Sequence, residues 1–363
     1  MTIFPDGMRF RGCSALACAA LAAGLLWSAD SNAGRFLAPI DTPAMTAVRP
    51  QAAPLIAVTR AGNRVVAVGQ RGVVVLSDDV AAWRQVPMPL SSDFTAVSFP
   101  TPTTGWIVGQ DGVILHSADA GETWVKQTDG MLLPQLMVEY YLTRDASDPR
   151  IAKALKDARR MVEDKDYKPL LGVWFDDVST GFVVGEFGII YATNDGGKSW
   201  KPWYHKINDE RGRHLHEIRR IGGELYIAGE QGLLLKFDPQ ADRFVSMPSP
   251  YEGSFMGIFG KPGLLVIYGM RGNAYRSTDH GATWQRMQTN TDALITAGAL
   301  LDDGRIVLAS ENGKVLVSAD AGKTFVAQQI NKPTAWWGAV ATPKDIVLVG
   351  PAGVRAAGLG ENK

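Results

Sequence analysis

Seven copies of one glycine-spaced phrase predict an all-β chain, folded as a seven-bladed β-propeller of four-stranded blades. Two further observations point the same way. Each copy lies within four short runs rich in Val, Ile, Phe and Trp, joined by Gly, Asp and Asn turns. An aspartate-centred turn then follows the phrase in several copies.

The phrase is a few apolar residues, a glycine, two variable residues and a second glycine. It reads Val68-Gly69-Gln70-Arg71-Gly72, Val108-Gly109-Gln110-Asp111-Gly112, Val184-Gly185-Glu186-Phe187-Gly188 and Ala228-Gly229-Glu230-Gln231-Gly232. Weaker copies run from Tyr268 to Gly272, Ala309 to Gly313 and Val349 to Gly353. Counted from the first turn residue, at 69, 109, 185, 229, 269, 310 and 350, the intervals are 40, 76, 44, 40, 41 and 40. Six intervals define seven units, and the long one holds an insertion of about one repeat. Four short strands per repeat of this length is the spacing of propeller blades.

The second unit shows the pattern: Phe94 to Phe99, Gly105 to Val108, Val113 to Ser117 and Trp124 to Gln127. The last unit has three such runs and lacks a fourth. Residues near Met45 to Val48 are expected to complete it, closing the ring and removing an exposed edge. In the long interval, residues 131–168 are expected to form a helical insertion. Leu133, Met137, Tyr140 and Tyr141 have helical spacing, and a second helix starts at Asp148 with Pro149 in its first position. Its expected apolar stripe is Ile151, Leu155, Ala158 and Val162.

The N-terminus reads as a signal peptide over residues 1–33, with residues 34–363 as a single propeller domain. Arg9 and Arg11 precede an apolar stretch from Ala15 to Trp27, followed by Ser31, Asn32 and Ala33. That stretch is short for a membrane span, so the chain is expected to be exported, periplasmic or membrane-associated on the non-cytoplasmic side. Cys18 lies inside the apolar stretch, which is a poor pattern for lipid attachment. Both cysteines, Cys13 and Cys18, fall in this leader, which leaves the expected mature chain no disulfide and no cysteine ligand. Lysine plus arginine equals aspartate plus glutamate at 37 each, and this balance argues against a nucleic-acid partner.

The aspartate-centred turn is complete at Ser117-Ala118-Asp119-Ala120-Gly121-Glu122-Thr123-Trp124. Close copies place Asp195, Gly197 and Trp200, then Asp279, Gly281 and Trp284, then Asp320 and Gly322 ahead of Phe325. This is the Asp box, the bacterial neuraminidase repeat. Its logic is local: the carboxylate takes turn N–H groups, glycine supplies positive φ and the aromatic ring buries between blades. A sialidase would also need a tyrosine nucleophile, acidic partners and an arginine cluster, and no arginine-containing signature precedes the first box. The boxes are therefore read as structural.

The fusion of the two motifs, from Trp106 to Trp124 and again from Phe182 to Trp200, resembles the photosystem II stability/assembly factor family. The resemblance runs from about Leu55 to Ala357. It implies an exported, non-catalytic propeller that binds a subunit of a membrane complex during assembly, with no cofactor. The long insertion and the loss of glycine at Ser310 depart from the photosynthetic pattern.

Loops alternate ends in an up-and-down blade, so the boxes share one face and the variable phrase positions the other. That second face is expected to bind the partner through Gln70, Arg71, Gln110, Asp111, Glu186, Glu230, Arg271 and Glu311. Tyr140, Tyr141 and Leu155 of the insertion join it. So do Arg211, Arg213 and His214 in a loop that also holds His205 and His216, where contact with an acidic partner is favoured over a metal site. The expected partner is an integral membrane protein or membrane complex. The alternatives are a glycan-active or glycan-binding Asp-box protein and a soluble accessory protein of a bacterial transporter.

Overall fold

The computed structural model describes residues 37–358 apart from 210 and 344; the expected signal peptide lies outside the described residues. Seven antiparallel sheets follow one another along the chain, six of four strands and one of three. Within each, strand order is sequence order, so every blade is a simple meander. The first blade runs Leu55–Ala61, Arg64–Gly69, Val74–Ser77 and Arg84–Gln85. The chain thus forms the all-β, seven-bladed propeller that its repeats imply.

The second strand of every blade is buried throughout or nearly so, because it has a neighbouring blade on each face. The apolar side chains accordingly divide into clusters that straddle pairs of blades. Val66 and Leu76 of the first blade pack with Ile107, Leu115 and Trp124 of the second. Ring closure uses the same kind of contact: Val347, Val349 and Val354 of the seventh blade meet Leu55, Val65 and Val75 of the first.

Residues 45–48 do not complete the last blade, whose sheet has three strands. They run beside the outer strand of the first blade, where the Ala47 N–H donates to Gln85 Oε1 (2.8 Å) and Gln85 Nε2 donates to the Met45 carbonyl (2.9 Å). Met45 is 84% exposed and Val48 99%, so pairing them into a sheet would bury little. A short 3-10 turn, Pro50–Ala52, instead lies against Gly353 of the last blade.

The insertion joins the second blade's last strand, Val125–Thr128, to the third blade's first, Leu170–Phe175. It is a helical hairpin of α1 (Leu132–Leu142) and α2 (Pro149–Asp164). Asp148 caps α2 by accepting the Arg150 N–H (2.9 Å). The stripe that α2 buries is Ile151, Ala154, Ala158 and Met161. Leu155 is only half-buried and Val162 is exposed, a rotation from the expected stripe set by contact with Leu133, Met137 and Tyr141 of α1.

Candidate functional site

Each glycine phrase is a clip that ties a blade's second turn to the entries of two blades. At Gly69 an added Cβ would stand 2.1 Å from the Pro54 carbonyl oxygen, so the first glycine is there for close approach. The Gln70 N–H donates to that same carbonyl (3.1 Å). Gly72 has φ +70°, and its N–H donates to the Ser92 carbonyl at the head of the next blade (3.0 Å). In five of the phrases the residue before the second glycine is left-handed even though it is not glycine: Arg71, Asp111, Phe187, Gln231 and Arg271. Such strain, about 1–2 kcal/mol per residue, persists only where surrounding contacts impose it.

These contacts sort the candidate residues into two groups. Asp111, Glu230, Glu311, Arg213 and His214 are used internally. Asp111 Oδ2 accepts the Ser92 hydroxyl (2.7 Å), Glu230 Oε2 the His214 N–H (3.2 Å) and Glu311 Oε1 the Leu294 N–H (3.2 Å). Arg213 grips Asp209 (Nη2–Oδ1 3.0 Å) and donates to the Gln231 carbonyl. Burial raises the Asp209 carboxyl, but the Arg213 bonds more than offset this and hold it below its usual range. His214 Nδ1 accepts the Phe187 N–H (3.1 Å). By contrast, the side chains of Gln70, Arg71, Gln110, Glu186, Arg211 and Arg271 make no hydrogen bond or ion pair among the described residues.

The hairpin borders this face, since Gly130 at its start donates to the Asp111 carbonyl and Lys168 at its end meets Gly112. Tyr141 is buried, and its hydroxyl lies 3.0 Å from His205 Nδ1; Tyr140 packs edge-on against it. Between α2 and the third blade's clip lies a cleft of about 220 Å³, lined by Arg150, Lys153, Phe187, Tyr204, His205 and Asp209.

The central channel holds residues that the sequence did not flag. Its lining comes from the first strand of every blade and encloses about 180 Å³. Six of those strands carry a register shift near the start, at Ile56, Thr95, Leu171, His216, Met256 and Thr296, and each shifted residue faces the channel. Three of them bond to a carbonyl of the following blade: Thr95 to Leu170 (2.5 Å), His216 to Phe255 (2.7 Å) and Thr296 to Trp336. Glu217 accepts from Arg219 Nε (2.6 Å) and from the Ile258 N–H (3.0 Å). Burial works against the Arg219 charge and Glu217 more than restores it, leaving its pKa raised. His214 and His216 serve different partners, and the described residues contain no group of three or more metal-ligating side chains.

On the opposite face the Asp boxes share one geometry. Asp119 Oδ1 accepts the Thr123 N–H (2.9 Å) and the Ser117 hydroxyl (2.8 Å), and Oδ2 accepts the Thr123 hydroxyl (2.6 Å). Asp195, Asp279 and Asp320 repeat this, and Gly121, Gly197, Gly281 and Gly322 all have φ near +80°. Trp124 and Trp200 are buried, whereas Trp284 and Phe325 are half-buried. A degenerate box that the sequence reading missed is built on Asp79, which accepts the Ser77 hydroxyl and the Ala81 and Ala82 N–H groups. It lacks the glycine, which hid it.

These features define a class: a seven-bladed propeller with Asp-box turns on one face and glycine clips on the other. Within that class, the family described as photosynthesis system II assembly factor YCF48 matches residues 75–144 and 153–327, and the chain belongs to it. A photosystem II assembly lipoprotein Ycf48 of Synechococcus sp. (strain CC9902) is 31% identical over 136 residues, covering 36% of this chain and 39% of that protein. The photosystem II assembly protein Ycf48 of Synechococcus sp. (strain JA-2-3B'a(2-13)) is 29% identical over 193 residues, 48% of this chain and 55% of its own. These alignments therefore span from two fifths to just over half of the relatives. A solved structure described as YCF48 bound to D1 peptide superposes with a TM-score of 0.63 at 16% identity, over 88% of this chain and 97% of that one. At that identity the likeness speaks for the fold. Among the described residues no helix is long and apolar enough to cross a membrane.

Proposed function

We propose that this chain is an exported, non-catalytic propeller that binds a segment of an integral membrane protein and assists assembly or stability of its complex. The observation that carries the reading is the family match, which extends over most of the propeller. A relative of this fold described as bound to a D1 peptide supports a polypeptide ligand. On this chain the clip face is the proposed docking surface. Arg71, Arg211 and Arg271 keep their guanidinium groups unspent there, which favours a segment bearing carboxylates.

The test is capture from gently solubilised host membranes after brief crosslinking, with mass spectrometry of what co-purifies. One enriched integral membrane protein, lost in Arg71→Glu/Arg271→Glu, is the expected result. Those side chains carry no internal bond, so the variant keeps its fold. Capture of no membrane protein, or capture indifferent to the variant, overturns the reading. Turnover of a sialoside or other glycoside that is lost in Glu217→Gln would replace it with a glycan-active one.

A further inference from the structure

Four of the twelve large apolar side chains exposed among the described residues lie on the helical hairpin: Met131, Leu132, Leu142 and Val162. Leu132 is 50% exposed and Leu142 58%, one at each end of α1. By helical spacing both stand away from Leu133, Met137 and Tyr141, which fill the buried contact. Of the eleven residues of α1, only Gln135 and Glu139 carry an amide or a charge. A helix apolar on nearly every side belongs in apolar surroundings. Yet α1 gives one side to α2 and to the third blade's outer strand, Lys201–Pro202, and leaves Leu132 and Leu142 outside.

The packed partner α2 supplies charge. Lys153, Lys156 and Arg160 fall at i, i+3 and i+7, opposite buried Ala158, with Arg159 beside them, and all four are exposed. Over residues 149–160 the helix has five cations against one acid, Asp157, and Glu163 and Asp164 follow in its last turn. Lys153 pairs with Asp157 (2.6 Å) and Arg160 with Asp164 (3.2 Å), exposed pairs of the kind that contribute little in water. Lys156 and Arg159 make no hydrogen bond or ion pair among the described residues. The hairpin therefore sets uncommitted cations beside uncovered aliphatic side chains.

We propose that the outer side of this hairpin rests on an anionic lipid surface, with Lys156 and Arg159 on headgroup phosphates and Leu132 and Leu142 at the acyl boundary. Exposed aliphatic residues next to a cationic helix stripe are the chemistry of an interfacial helix. A lipid surface takes scattered leucines without a shaped pocket, and its phosphates meet lysine and arginine in any register. The hairpin also borders the clip face, so lipid contact holds that face beside the membrane protein proposed to dock there. The lipid site extends that reading without requiring it.

The experiment sediments the full chain with vesicles of phosphatidylcholine alone and of phosphatidylcholine mixed with phosphatidylglycerol. Every variant keeps the same leader, so differences between variants report the hairpin. The expected result is binding that favours the anionic vesicles and falls as salt rises. Each cation near such a surface is worth about 1 kcal/mol, so Lys156→Glu/Arg159→Glu weakens binding at least about twentyfold. Leu132→Ser/Leu142→Ser weakens it at least about fivefold. All four side chains are exposed, so the melting temperatures hold.

No sedimentation with anionic vesicles, equal binding to both kinds, or indifference to Lys156→Glu/Arg159→Glu overturns the lipid site. Indifference to Leu132→Ser/Leu142→Ser overturns the acyl contact. Capture of a protein that is lost in Lys156→Glu/Arg159→Glu, without vesicle binding, assigns the surface to a protein instead and also overturns it. The vesicles contain no protein, so failure here leaves capture through Arg71 and Arg271 standing, and failure of that capture leaves the vesicle result standing.

Discussion

Asp195 uses both carboxylate oxygens within the short stretch from Thr193 to Ser199. Oδ2 accepts the Ser199 hydroxyl (2.6 Å), and Oδ1 accepts the Ser199 N–H (2.9 Å) and the Thr193 hydroxyl (2.8 Å). Those bonds, the Ser199 hydroxyl foremost, pull its pKa down to about 2. A carboxylate depressed on folding adds stability that is complete above its unfolded pKa of about 3.9 and is lost as pH falls through the folded value. Stability should therefore drop between about pH 4 and pH 2, and Asp195→Asn should flatten that limb in acid-unfolding curves. At neutral pH Asp195→Ala should cost about 1–3 kcal/mol in denaturant titrations, because turn donors lose their acceptor. Gly69→Ala tests the other motif. With backbone conformation permissive and the Pro54 carbonyl in the way, overpacking should cost about 1–3 kcal/mol. The Asp box was legible in the sequence because it is satisfied within a few residues, and the glycine phrase because it recurs at a fixed spacing.

The helical hairpin is the element whose stability answers to pH. Burial is the main cause that lowers the His205 pKa to about 4, and Lys206, Arg150 and Arg144 add to it while Asp242 opposes. Its ring Nδ1 faces the Tyr141 hydroxyl, which burial holds well above its ordinary pKa and therefore protonated. His205 is thus neutral when folded and takes a proton more readily when unfolded. Its contribution is complete above about pH 6.5 and is lost as pH falls towards about 4. Amide exchange in α1 and α2 should accelerate across that window relative to the other blades, and His205→Phe should remove the pH dependence. The cap at Asp148 and the helix period were readable in the sequence. The burial of Met161 in place of Val162 was not, since residues three and four apart compete for one stripe and only α1 decides between them.

Across the whole molecule, closure rests on apolar contact between the last blade and the first, without a shared strand. Val347→Ala empties part of that seam. It should lower stability by about 1–3 kcal/mol with an unchanged denaturant slope, because the ring unfolds as one unit. A lower slope would mean that the seam opens alone.

The repeat phrase, the Asp boxes, the blade count and the position of the insertion were determined by the sequence, because each depends on turn chemistry and periodicity within one blade. The spacing of the clip glycines carried the fold. Contacts between blades lay beyond it. Which clip residues are spent on their neighbours, as Glu230 is on His214, depends on the approach of an adjacent loop. The channel ring of Thr95, His216 and Thr296 depends on register shifts in inward strands of separate blades that only closure brings together. The tertiary structure alone decided these, since each is a distance between residues that belong to different repeats.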